Sequence, residues 1–320
     1  MSNMEEVSIK NKANDKKNKK NFKVVNQVCM IYSIGFFFIF IFNLIMNKIY
    51  LKNNYPEPIF IFAKNLFGVI LMFLLTFFFG KNDLEEGEND MEEYKVECFG
   101  PKKFFQFLFI NFGLHYIFFY VGWGINKLLA PLMIKLFYRK KKKLNAFSVI
   151  DNEDLEIWKY IKFIALCITG PISEEFAYRY FLIKRLARYD ITLSIFCSGI
   201  IFGYTHMNAG QFFHCMASGI VYAYSYVKTN NILIPIFYHI VLNSYEYIIS
   251  SELRFLKLII GLIGLALIEE EKENNSPDLS NQNESCCKSC CALFKSYWMW
   301  IIIIEGNLCI FYDYYEQITN

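Results

Sequence analysis

Two adjacent carboxylates followed four residues later by a guanidinium stand in Gly170-Pro171-Ile172-Ser173-Glu174-Glu175-Phe176-Ala177-Tyr178-Arg179, directly after the apolar run 161–169. An ionisable side chain at mid-bilayer costs roughly 2.5–3.5 kcal/mol even on insertion scales, so such groups on apolar segments need a reason to be there. On a helix Glu175 and Arg179 share a face and pair, whereas Glu174 is turned away by about 100° and stays available as a base. A structural reading stands beside this one: Ser173 as a helix N-cap, with the acids in the first turn where exposed amides favour them. The chain has four histidines, and two lie in telling contexts. His206 closes Phe202-Gly203-Tyr204-Thr205-His206, where the phenylalanine four residues earlier shares its face and walls it from water. His239 opens His239-Ile240-Val241-Leu242-Asn243, which sets an imidazole and an amide side by side. Any one of these histidines is explained by a structural hydrogen bond. Three helices that each carry such groups are more simply explained by convergence on one site.

The elements that must position these groups are membrane helices. The composition is 55% hydrophobic and only 20% charged, with 34 Phe and 22 Tyr, more apolar than the roughly 45–50% of ordinary soluble domains. Apolar segments fall at 24–50, 57–80, 104–137, 157–172, 191–205, 212–228, 232–249 and 255–268. Because a span needs roughly 20 residues, this reads as an all-α polytopic membrane protein of about eight transmembrane helices, with the active site inside the helical bundle. Gly122, Gly124 and Pro131 interrupt 104–137, which reads as one span plus an interfacial helix or as two short spans. The organisation expected is a polar Lys-rich N-terminal tail at 1–23, N-terminal transmembrane helices at 24–150 with an acidic loop at 81–103, a catalytic helical core at 151–268, and an acidic, Cys-rich C-terminal tail at 269–320.

Seven lysines between Lys10 and Lys23 precede a long apolar run, the pattern of a signal anchor. The positive-inside rule places these lysines and the basic run 139–143 on the cytosolic side, which requires an even number of spans between them. The segment 297–312 is short for a span and carries Glu305, so interfacial attachment is expected. The net charge of +3, without a basic patch interleaved with stacking aromatics, argues against nucleic acid as a partner; membrane lipid is the expected neighbour. Six cysteines are scattered singly along the apolar stretches and read as small buried hydrophobes. Cys286, Cys287, Cys290 and Cys291 read as palmitoylation sites beside a membrane segment, or as half a zinc site that lacks its second pair of ligands. His115 and His214 lie on aromatic-rich segments and read as packing residues.

Glu174-Glu175-x-x-x-Arg179, Phe202-x-x-x-His206 and His239-x-x-x-Asn243, in that order, resemble the three-motif signature of the CPBP intramembrane protease family, which includes the type II CAAX prenyl endopeptidases, the CAAX amino terminal proteases and the abortive-infection proteins. Pro171, Tyr178 and the stretch from Gly219 through Tyr222, Tyr224 and Thr229 to Pro235 are similar too. The resemblance covers residues 155–250. Phe176-Ala177-Tyr178 departs from the aliphatic-then-Phe pattern more usual before the arginine. The family implies a membrane-embedded protease that removes the aaX tripeptide from a prenylated CAAX protein or peptide, in the endoplasmic reticulum membrane if the organism is eukaryotic and in the plasma membrane if it is bacterial.

Within that reading Glu174 is the base, His206 shares the water, and His239 and Asn243 donate to the oxyanion. Glu175, Arg179 and Phe202 support them. No cofactor is assured by this reading. Zinc held by Glu174, His206 and His239 is the alternative, since two histidines and a glutamate with an open position are a catalytic zinc set; Asn243, a poor zinc ligand and a good donor, favours the metal-free form. Two other readings of the whole chain stand apart from this one. A CPBP-type protein that processes other peptides, or acts in immunity without proteolysis, would keep the fold. A transporter would need polar residues lining several spans and paired half-repeats, and no internal repeat is visible.

Overall fold

The computed structural model describes residues 2–53, 57–92, 98–137, 156–187, 190–206 and 209–248, with shorter pieces at 256, 259–264, 266–267, 296–305 and 307. Among these residues the chain is helical and holds no strand. The helices are α1 (Ser2–Asn53), α2 (Glu57–Glu92), α3 (Pro101–Phe137), α4 (Glu156–Phe163), α5 (Gly170–Glu175), α6 (Leu182–Leu186), α7 (Ile191–Thr205), α8 (Ala209–Thr229) and α9 (Leu233–Ile248). The all-α expectation holds. The runs 139–143 and 269–284 and the cysteines from Cys286 to Cys291 lie outside the described residues.

Among the described residues three stretches are long and apolar enough to cross a membrane: Phe22–Met46, Pro58–Leu75 and Pro101–Leu129. Their outer faces carry bare aromatics, Phe37, Phe38, Phe62, Phe73, Phe105 and Phe109 among them, which suits contact with lipid rather than water. The later helices are shorter or carry the polar groups singled out above, so they do not reach that standard among the described residues.

Several expectations are corrected. The polar Lys-rich stretch is helical: residues 2–23 begin α1, whose 52 residues extend about 78 Å at 1.5 Å per residue. The acidic stretch is helical as far as Glu92, because Glu and Lys are good helix formers and no proline interrupts them. The 104–137 block is one helix, and neither the two glycines nor Pro131 breaks it. Among the described residues three candidate spans lie between the N-terminal lysines and the run 139–143, an odd number, whereas placing both on the cytosolic side asks for an even one. Ser173 is not an N-cap. Its hydroxyl donates to Gly170 O at 2.7 Å inside a helical rod that runs unbroken from Glu156 to Leu186. The described part of the last apolar stretch, 296–305, packs on α1: Met299 and Ile302 are buried in the main core with Val25, Val28 and Tyr32, Ser33 Oγ donates to Glu305 Oε2 at 2.9 Å, and Ser296 Oγ donates to Asn26 Oδ1 at 3.0 Å.

Local chemistry sets the reversals that return each helix to the site. Asp190 caps α7 by accepting from Leu193 N at 2.9 Å, a standard N-cap arrangement. Between α8 and α9 the turn is made by Asn230 at φ 47°, a left-handed conformation that asparagine tolerates better than most residues, followed by Asn231, whose Oδ1 accepts from Leu233 N at 3.0 Å. This tight turn folds α9, and with it His239, back against the rod that bears the glutamates.

Candidate active site

The rod from Glu156 to Leu186 is not a uniform α-helix. Two π-helical stretches, Ile164–Thr169 and Phe176–Phe181, flank the six α-helical residues Gly170–Glu175. The first has a visible cause. Pro171 has no N–H to give and its ring crowds the preceding turn, which a widened turn relieves; there Gly170 N–H bonds back to Ala165 O. Carbonyls of the widened turns accept from side chains on four other helices. Asn65 of α2 donates to Ala165 O at 3.1 Å, Asn243 of α9 to Leu166 O at 3.1 Å, Tyr32 of α1 to Ala177 O at 2.5 Å, and Ser198 of α7 to Tyr178 O at 2.9 Å. The short segment carrying Glu174 and Glu175 is thus held at both ends.

The two glutamates have different surroundings. Glu175 is fully buried: one oxygen meets Arg179 Nε at 2.9 Å and the other His239 Nδ1 at 2.8 Å. A carboxylate can only accept from that nitrogen when the imidazole carries its proton at Nδ1, so Glu175 fixes the ring's orientation. His239 Nε2 then faces Glu174 Oε2 at 3.7 Å. Glu174 keeps about a third of its side chain exposed (34%) and lines an open cavity of about 210 Å³ together with His206, Thr205, Tyr178, Asn43 and Lys64. His206 lies just past the end of α7, with Nδ1 3.0 Å from Phe202 O. A carbonyl accepts only from a protonated nitrogen, so Nε2 of His206 keeps its lone pair.

Phe202 is the hub of the site. Its ring lies edge-on to His206 (5.0 Å), His239 (5.6 Å) and Tyr178 (5.4 Å), and the Arg179 guanidinium sits 4.8 Å from its centroid. A Cβ added to Gly219 of α8 would fall 2.9 Å from Phe202 Cδ1, so the absence of a side chain there gives the ring its space. Arg179 is buried among Phe202, Tyr222 and Tyr178, with centroids at 4.8, 5.3 and 6.0 Å, a setting in which ring faces replace part of its lost hydration.

Glu174, Glu175, Arg179, Phe202, His206 and His239 are therefore brought together. Asn243 stands one turn beyond His239 but is not in the cavity lining, and its amide is bonded to the first π-helical stretch. His115 and His214 lie elsewhere: their rings pack 4.6 Å apart and His115 Nδ1 is 3.1 Å from Ser218 Oγ. Some contributors gave little warning in the sequence. Tyr222 stacks on His239 at 4.9 Å and 23°, and its hydroxyl accepts from the buried Asn111 at 3.4 Å. The polar residues Asn65 and Asn111 inside apolar spans were the available signal. As to zinc, the donor types of Glu174, His206 and His239 are suitable, but no group of three His, Cys, Asp or Glu side chains among the described residues is gathered closely enough to hold a metal ion.

Residues 156–245 match the family model described as Type II CAAX prenyl endopeptidase Rce1-like. The interval contains all three motifs. A curated relative, "Putative membrane peptidase YdiL" of Bacillus subtilis (strain 168), is 33% identical over 92 residues, 28% of this chain and 37% of that protein. The chain thus spans little more than a third of that relative's length. No solved structure matches.

Proposed function

We propose that the protein is an intramembrane endopeptidase of the CPBP type that removes the aaX tripeptide from prenylated CAAX proteins by glutamate- and histidine-activated water. The observation that carries this reading is the unequal treatment of the two glutamates: one is locked in an ion pair, while its neighbour is left partly open in a cavity beside an imidazole with a vacant lone pair. The 156–245 match supports the class of reaction and of substrate.

In the reaction, Glu174 takes a proton from water, whose second hydrogen is accepted by His206 Nε2. The water oxygen bonds to the scissile carbonyl carbon and the carbonyl electrons move to its oxygen. His239, with Nδ1–H committed to Glu175, donates through a protonated Nε2. Asn243 retains one of its two amide hydrogens after bonding to Leu166 O and supplies the second donor. Collapse of the tetrahedral species breaks the C–N bond, and the proton on Glu174 goes to the leaving amine. A site enclosed by helices suits a substrate whose isoprenoid lies in the bilayer. The membrane concerned would be that of the endoplasmic reticulum in a eukaryote and the plasma membrane in a bacterium.

The test compares release of the terminal tripeptide from a farnesylated CAAX peptide by membranes bearing the wild type, Glu174→Ala or His206→Ala. Release should fall by about 100-fold or more in each variant, the usual range for loss of a general base. Intact release by Glu174→Ala would remove that residue from the mechanism. Tight chelation should leave wild-type release unchanged; activity lost to the chelator and restored by zinc would overturn the metal-free step.

A further inference from the structure

The cavity beside Glu174 has a second wall, built by α1 and α2, that the reaction above does not use. Ile39 and Asn43 come from α1, and Lys64, Asn65, Gly68 and Met72 from α2. Lys64, Gly68 and Met72 follow at i, i+4 and i+8 and so lie along one face of the helix. Lys64 stands inside the apolar span Pro58–Leu75, where a cation is costly and marks a functional path by default. Its ammonium lies 4.2 Å from the centroid of the buried Phe60 ring, which supports the side chain within the span. Asn65 is tied to Ala165 O, so this wall is fixed directly to the rod that carries the glutamates. Asn43 Oδ1 is buried and has no hydrogen-bond partner among the described residues, and a buried acceptor of that kind calls for a donor.

A cation and an orphaned acceptor on one wall, with a base and an imidazole on the other, match the end of a peptide chain. The cation meets a carboxylate and the acceptor meets a backbone N–H. We propose that the α1–α2 wall is a subsite for the free C-terminal carboxylate of a peptide substrate, with Lys64 pairing the carboxylate and Asn43 Oδ1 accepting an N–H from the same peptide end. This deepens the peptidase reading and rests on it. Anchoring the chain end at Lys64 while water is activated at Glu174 fixes the scissile bond at a set distance from the terminus, so a short C-terminal piece is released.

The experiment uses the full chain in phosphatidylcholine vesicles, free of anionic lipid, and two prenylated peptides that differ only in ending as a carboxylate or a carboxamide. Binding is measured on Glu174→Gln and cleavage on the wild type. The carboxylate peptide should bind roughly tenfold to a hundredfold tighter than the carboxamide, as charged hydrogen bonds allow. Lys64→Gln in the same background should bring that ratio to about one, and Lys64→Arg, which keeps the charge, should restore it. Persistence of the preference in Lys64→Gln, or cleavage of both peptides by the wild type with no preference in binding, overturns the subsite and leaves the reaction standing. Preferential, Lys64-dependent binding without cleavage supports the subsite and overturns the reaction. Failure of both peptides to bind overturns the subsite and the substrate assignment together.

Discussion

Adjacent residues of the same type in this site should fail in opposite ways. Glu175 is fully buried between Arg179 and His239, so Glu175→Ala leaves a guanidinium without its carboxylate in a low-dielectric setting, a change that typically costs about 3–5 kcal/mol. Glu174 is part-exposed, and Glu174→Ala should change stability by no more than about 0.5 kcal/mol, as substitutions away from buried networks usually do. Thermal unfolding of the detergent-solubilised protein separates the two: Glu175→Ala should melt well below the wild type, whereas Glu174→Ala should melt close to it. Equal losses from both would mean that Glu174 is part of the ion-pair network and not a group held for reaction. The pairing of Glu175 with Arg179 was legible from their spacing alone. That His239 completes the pair was not, because the contact spans 64 residues and depends on the Asn230 turn bringing α9 back. Asn243 could be read as a neighbour of His239, but its bond to Leu166 O depends on a carbonyl that only a widened turn makes available.

Elements were legible where periodicity and length decide and illegible where local chemistry competes with context. The apolar runs marked α1, α2, α3 and α7, yet Gly122, Gly124 and Pro131 suggested a break in α3 that the packed helix does not make, since tertiary packing outweighs the propensity of single residues. The first π-helical stretch has Pro171 as its cause; the second has no comparable signal in Phe176-Ala177-Tyr178. Close helix approach was equally hidden. The piece 259–264 meets α3 backbone to backbone: a Cβ on Gly264 would fall 2.6 Å from Gly113 Cα and 2.7 Å from Phe109 O. No flexible side chain is there to yield. Gly264→Ala should therefore force the two helices apart and cost about 1–3 kcal/mol, the usual range for overpacking. Gly124→Ala, on the same α3 but with nothing within 4 Å of the added Cβ, should instead gain roughly 0.5–1 kcal/mol from helix propensity. Parallel melting curves check the contrast, and a neutral Gly264→Ala would show that 259–264 does not bear on α3.

At the scale of the whole molecule, the core is closed from both ends of the chain. Tyr32 of α1 bonds to the rod beside the glutamates, and a neighbouring face of the same helix receives 296–305 through Ser33 and Asn26. α1 therefore acts as a brace for the site as well as a membrane anchor, and its orientation sets that of the cavity. Positive-inside counting asks the lysines before α1 and the run 139–143 to share a side, but α1, α2 and α3 supply three candidate crossings between them. Where charge counting and helix continuity disagree, continuity is the firmer guide, because an unbroken apolar helix cannot turn back within the hydrocarbon region without exposing backbone groups. Single cysteines at Lys12→Cys and Lys142→Cys, placed in a background lacking the native cysteines, should thus be labelled from opposite sides of sealed vesicles by a membrane-impermeant maleimide. Labelling from the same side would mean that one of the three helices lies along the membrane. α2 would then be the first to suspect, because its apolar stretch of 18 residues is the shortest of the three, and the Lys64 wall of the cavity would face an interface instead of the bilayer interior.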